Sequence, residues 1–231
     1  MFRGPQQQPP TLAFDVKYKP VTTLTNADFT KGTYRIQSSG TYVLKEDIVF
    51  EPTNDPKPEG GFRLGWFAAI SVECEHVVLD LNGFRIDQGP GHYLRQRFFS
   101  IIELANSPFI PKQGPANFGD NFSSANYVEI KNGTLGQSAH HGIHGNDNSN
   151  LHLHDLIVED FEIGGIALNG AQDVVFERLR VGPSKTDVPV NARFSQALFA
   201  LPLCPDEELQ GLVDAVLEGE EVPELFANPE K

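Results

Sequence analysis

One interval constrains this sequence more than any other feature: 23 residues. Val128, Leu151 and Val174 stand that far apart, as do Ile130, Leu153 and Phe176. Gly133, Leu156 and Leu179 keep the spacing, and so do Leu135, Val158 and Val181. Ile143 and Ile166 fall in step, each behind a glycine (Gly142, Gly165), and Asn146 and Asn169 follow at the same offset. Chance rarely places six registers on one period. A propeller blade needs about forty residues, and a leucine-rich repeat needs a helical half. Here Asn, Gly and β-branched residues dominate instead. What remains is a β-solenoid, in which each winding carries short strands and lies about 4.8 Å above the last.

Local pattern agrees. Apolar runs recur at Tyr42–Leu44, Ile70–Val72, Val77–Leu81, Phe99–Ile102, Val128–Ile130, Leu151–Leu153 and Val174–Phe176, bounded by turn residues. Short alternating runs so bounded read as strands. Alternation then sorts side chains: 128/151/174 and 130/153/176 point inward. Glu129–His152–Val175 and Lys131–His154–Glu177 form outward ladders, with Asn132, Asp155 and Arg178 as a third. Asn146 and Asn169 are expected to stack and hydrogen-bond along the repeat.

The runs Ser39–Ile48, Ile70–Val72 and Val77–Ile86, with the later Val128–Leu135 and Gly142–Leu153, resemble the coils of right-handed parallel β-helix proteins of the pectin-lyase-like superfamily. The resemblance covers roughly residues 33–182. It implies an all-β, right-handed parallel β-helix and, for function, a polysaccharide lyase, hydrolase or epimerase, or a fibre or assembly module. The superfamily's Asp-Pro-His-Asp and paired-Asp motifs are absent, and Gly142-Ile-His144-Gly145 echoes its Gly-His-Gly only loosely.

Around this core the expected organisation is a Pro/Gln-rich tail over 1–12, the repeat region over 13–182, and an acidic segment over 183–231. Insertions interrupt the repeat at 51–67 and 84–125, where a solenoid often builds its binding surface. Pro205–Leu217 has acids in its first turn and apolar residues at 209, 212, 213, 216 and 217, which predicts an amphipathic helix over about 205–218. It could cap the end of the repeat or precede further windings, since the number of windings suits a fragment of a longer β-helix.

Charge bounds the partners. The formal net charge is −13, and the last fifty residues hold ten acidic and three basic side chains. Such a chain repels nucleic acid and anionic membranes. The N-terminal residues have no apolar signal core, and no run of 18 apolar residues forms a transmembrane helix. The two cysteines, Cys74 and Cys204, do not make a disulfide framework or a cysteine metal site.

Chemistry concentrates in histidine: five of the seven lie between His140 and His154. His140, His141 and His144 are the candidate catalytic residues, since a neutral imidazole serves as general base near pH 7. His152 and His154, two apart on a strand, face one side and could share a metal with Glu129 or Glu177. Asp155, Glu159, Asp160 and Glu162 could hold a hard cation beside Arg178 or Arg180. Calcium or zinc is therefore possible, although no cofactor is required. For the histidines and the acidic set the plainer reading, solvated strand and turn residues, is the one the sequence favours. In Gly89–Phe99, Tyr93, Arg95 and Arg97 suit sugars through aromatic stacking and guanidinium forks, with Arg178 as a further contact. Two functions follow: binding, and with it cleavage or epimerisation, of a polysaccharide on the lateral face; or a rigid structural module acting through protein contacts.

Overall fold

The computed structural model describes residues 20–53, 65–108, 114–119 and 121–184. The 1–12 tail, the expected 205–218 helix and Cys204 lie outside them. Among the described residues thirteen strands form: β1 (Val21–Leu24), β2 (Tyr34–Ile36), β3 (Gly40–Leu44), β4 (Ile48–Phe50), β5 (Ala68–Val72), β6 (Val77–Asp80), β7 (Arg85–Gln88), β8 (Ser100–Glu103), β9 (Val128–Leu135), β10 (His141–Asn146), β11 (Ser149–Val158), β12 (Gly164–Asn169) and β13 (Gln172–Val181). One short helix, α1 (Pro90–Arg95), precedes β8. The architecture is all-β, in two parallel sheets.

The first sheet runs β1-β3-β6-β9-β11-β13, with β4 paired to β7 and β7 to the end of β9. The second runs β12-β10-β8-β5-β2. The 23-residue interval is the pairing register itself. Val128 aligns with Leu151 and Leu151 with Val174; Ile130 aligns with Leu153 and Leu153 with Phe176. In the second sheet, Tyr34, Ile70, Ile102, Ile143 and Ile166 form one column. These columns meet in a single apolar core. Fully burying each such side chain stabilises by about 1.5–3 kcal/mol.

The corners repeat as faithfully as the strands. Asn132, Asp155 and Arg178 all adopt left-handed backbone (φ 59°, 54° and 50°), as do Tyr127, Asn150 and Asp173 (54°, 56° and 53°). Asn and Asp tolerate that region; Tyr127 and Arg178 are the costlier occupants. Behind the first corner, a Cβ on Gly133 would lie 2.4 Å from Leu81 Cβ, so the backbone passes too close for a side chain. The asparagine ladder forms as expected, with Asn169 Nδ2 donating to Asn146 Oδ1 at 2.9 Å.

Within the stretch 84–125 lie β7, α1 and β8: Ile86, Ile101 and Ile102 sit in the core, and His92 of α1 packs against Phe50 and Phe99. One expectation needs correction. Phe176, on an inward column, is 53% exposed, because β13 has a strand neighbour on one side only among the described residues.

Candidate functional site

The second sheet does not alternate strictly, and this builds the site. In β10 a Cβ added to Gly142 would lie 2.4 Å from Val158 Cγ1, and Ile143 is fully buried in the core. Two consecutive residues therefore face inward. His141 and His144 flank them, with rings stacked 5.1 Å apart and 6° from parallel. Residues three apart on a straight strand project to opposite faces, so β10 bends between the two histidines. The neighbours copy the bend. β8 buries Ile101 and Ile102 between Ser100 and Glu103, and β12 turns Gly165 inward, where a Cβ would meet Val181 Cγ1 at 2.5 Å.

Register then assembles a polar group on the bent face. Ser100 aligns with His141, and Ser71 and His144 align on either side of Glu103. His144 Nδ1 lies 2.8 and 2.9 Å from the two Glu103 carboxylate oxygens. Both side chains are buried. Burial pushes the Glu103 carboxyl up to about 7 against the pull of His144 and Ser100. Burial, then the neighbouring His140 and His144, holds His141 down at about 3. His140 is lowered to about 4, first by burial and then by His144 and Arg97, with Glu162 opposing. The expectation of solvated turn histidines fails for His141 and His144, because the bend folds them against the sheet.

Neighbouring segments fix this group. The Ser138 hydroxyl donates to the Phe99 and His141 carbonyls at 3.0 and 2.7 Å, and Gln88 Oε1 accepts from the Ala139 N–H at 2.7 Å. His140 Nδ1 lies 3.0 Å from His141 Nδ1, and the His140 ring packs 5.5 Å from Phe98. At one margin Arg97 lies 4.6 Å above the Tyr93 ring, and its guanidinium and the Tyr93 hydroxyl both donate to Glu162. Burial, then Glu162, raises the Tyr93 phenol above its ordinary value. At the other margin Arg35 pairs bidentately with Glu73 at 2.7 Å and lies 4.0 Å over Phe118.

The structure thus brings His140, His141, His144, Tyr93 and Arg97 into one neighbourhood. It does not bring the other candidates there. Arg95 is 3.4 Å from Glu51. Arg178 grips Asp155 at 2.5 and 2.7 Å on the first sheet, and holds its carboxyl below the usual carboxylate range. His152 and His154 lie 4.3 Å apart between ring centroids, also on the first sheet. His154 contacts Glu129 at 3.0 Å and Asp155 at 2.6 Å, and His152 is 3.5 Å from Glu177. The acidic set is dispersed: Glu159 joins Arg85 and Arg180, Asp160 accepts from the Ser184 N–H, and Glu162 belongs to Tyr93 and Arg97. Among the described residues, no three His, Cys, Asp or Glu side chains cluster in a way that could hold a metal ion.

Glu103, Ser100 and Gln88 escaped the sequence reading. A signal existed for Glu103: one carboxylate inside the apolar run Phe99–Ala105. A charge in such a run is buried with a partner or does not survive there.

No protein-family model matches this chain, and no curated protein or solved structure does.

Proposed function

We propose that the two parallel sheets belong to a right-handed parallel β-helix of the pectin-lyase-like kind, and that its bent face is directed at a polysaccharide. The observation that carries this reading is the convergence of a near-neutral carboxyl, Glu103, with three imidazoles. Arg97 and Tyr93 stand at its margin. His141, neutral across physiological pH, is a hydrogen-bond acceptor for a sugar hydroxyl. Arg97 stacked on Tyr93 suits a uronate carboxylate, which a guanidinium binds through paired hydrogen bonds. If turnover accompanies binding, His140 and His141 are the groups that exchange the proton, and the Glu103–His144 pair is the reservoir behind them.

The test is a panel of uronate and neutral polysaccharides, scored by affinity gel electrophoresis for binding and by absorbance of unsaturated uronate products for lyase turnover. Retardation by a uronate polymer is expected, weakened about tenfold in Arg97→Ala. A chain that neither shifts nor turns over on any polymer removes the proposal.

A second reading has its own support. Glu103, Glu162, Glu129 and Asp155 are each engaged by a positive or imidazole partner in this chain. A surface so self-satisfied suits a rigid structural module that meets other proteins. Failure across the panel, with a partner of defined stoichiometry, would favour it.

A further inference from the structure

The seat that suits a carboxylate already holds one. Glu162 lies in the turn between β11 and β12, and its two carboxylate oxygens accept from two different donors: the Tyr93 hydroxyl on Oε1 and the Arg97 guanidinium on Oε2. This is the two-pronged, charge-assisted contact by which a guanidinium and a hydroxyl would hold the carboxylate of a ligand. Arg97 is anchored independently of Glu162, since its other terminal nitrogen donates to the Tyr93 carbonyl at 2.8 Å and it lies 4.6 Å above the Tyr93 ring. The Arg97 and Glu162 side chains keep 10% and 17% of their exposure, so the seat is reached from solvent.

Backbone and side chain of Glu162 are held by different partners. The Glu162 N–H donates to the Ser138 carbonyl at 3.2 Å, and the Ile163 and Gly164 N–H groups both donate to the His140 carbonyl at 3.1 Å. The turn can therefore stay in place while the flexible Glu162 side chain leaves. Electrostatics favour an exchange over a simple departure. Glu162 is the group that opposes the lowering of His140, and an incoming carboxylate replaces that charge one for one. An ion pair that keeps contact with water is weak enough to be displaced by a ligand that adds contacts of its own.

We propose that Glu162 is an internal stand-in for the ligand: its carboxylate fills the Arg97–Tyr93 seat until the carboxylate of a bound uronate displaces it. Glu162 is thereby the residue that sets specificity at this margin, because a neutral sugar has no group that replaces it charge for charge. The proposal rests on the polysaccharide reading and adds to it a competitor tethered to the same chain. Tethering keeps the competition in force at any protein concentration. Apparent affinity falls with the fraction of molecules whose seat is free, so a seat filled in about nine molecules of ten weakens binding about tenfold.

The experiment compares the full-length wild type with Glu162→Gln in affinity gels cast with polygalacturonate or with its fully methyl-esterified form, which lacks the free carboxylate. Glu162→Gln should bind polygalacturonate about tenfold more tightly than the wild type and the esterified polymer no more tightly. Glu162→Asp, which keeps the charge and shortens its reach, should gain in the same direction and carries the test if the glutamine variant does not fold. Glu177→Gln removes one negative charge from the first sheet and should gain nothing; an equal gain there would reduce the effect to net charge and overturn the proposal. The gain should vanish when Arg97→Ala is added to Glu162→Gln, and a gain that survives without Arg97 also overturns it. A wild type that binds polygalacturonate no less tightly than Glu162→Gln removes the stand-in and leaves the polysaccharide reading intact. If neither chain binds the polymer, both fall together.

Discussion

The two sheets handle polar side chains in opposite ways. On the first, strict alternation sends Glu129, Lys131, His152 and His154 outward, where Lys131 meets Glu129 at 2.6 Å and His154 meets Asp155. Such pairs, which keep some contact with water, contribute less than a fully buried one. On the second, a two-residue bend turns Ser100, Glu103, His141 and His144 into a buried group. The same residue types, in the successive segments Ser138–His144 and Ser149–His154, therefore differ in energetic weight because of backbone geometry. A charge on a flat parallel sheet is decoration, whereas on a bent one it is a commitment.

Breaking the buried pair should give the largest effect. His144→Ala leaves the Glu103 carboxylate in the interior without its partner, and urea denaturation should show a loss of about 3–5 kcal/mol. Replacing both by apolar residues of similar volume (Glu103→Leu with His144→Leu) should recover most of that loss, and failure to do so would mean the pair holds the bend as well as the charge.

A pH series sharpens the contrast further. The Glu103 carboxyl sits at about 7, above its ordinary 4.5. The stability it lends the protonated fold is complete below about pH 4.5 and is lost as pH rises through 7. His141 and His140 run the other way, from 6.5 down to about 3 and about 4. Their contribution is complete above about pH 6.5 and disappears as pH falls through 4 and then 3. Denaturation midpoints should therefore decline on both sides, more steeply in acid, where two groups act together. Glu103→Gln should flatten the alkaline decline, worth at most about 3 kcal/mol between pH 4.5 and 8, and leave the acid side in place. An unchanged alkaline slope would show that Glu103 titrates normally.

The smallest effect belongs to the first sheet. Arg178→Ala removes a two-pronged contact with Asp155, yet both groups are open to solvent. The urea midpoint should not move measurably. A clear shift would mean that the corner, with its left-handed φ at position 178, depends on the ion pair.

Much of the frame could be read from residues alone. From Val128 onward the period is uninterrupted, so the inward columns and the asparagine ladder followed directly. Before Val128 the same columns exist but are not periodic: Val77 pairs with Val128, 51 positions further on, and Ile102 with Ile143, 41 positions further on. β7, α1 and β8 fill the interval and concealed it. The histidine group was visible as composition, but its burial was not. Strand alternation places His141 and His144 on opposite faces, and only the inward turn of Gly142 beside Ile143 reverses that. Glu103 showed only as a carboxylate in an apolar run, and its partner was hidden because it lies on another strand 41 residues away.

The columns of left-handed corners restrict how such a chain can change length. Asn132, Asp155 and Arg178 occupy equivalent places only because whole multiples of 23 residues separate them. Removing 151–173 would seat Val174 where Leu151 was and leave every later corner on an equivalent residue. Removing a number between Val128 and Val181 that is not a multiple of 23 would move the left-handed positions onto side chains that resist them and rotate apolar columns into water. Evolution can therefore shorten or extend this region in quanta, much as one adds or removes a storey, while the surface loops between strands remain free to drift.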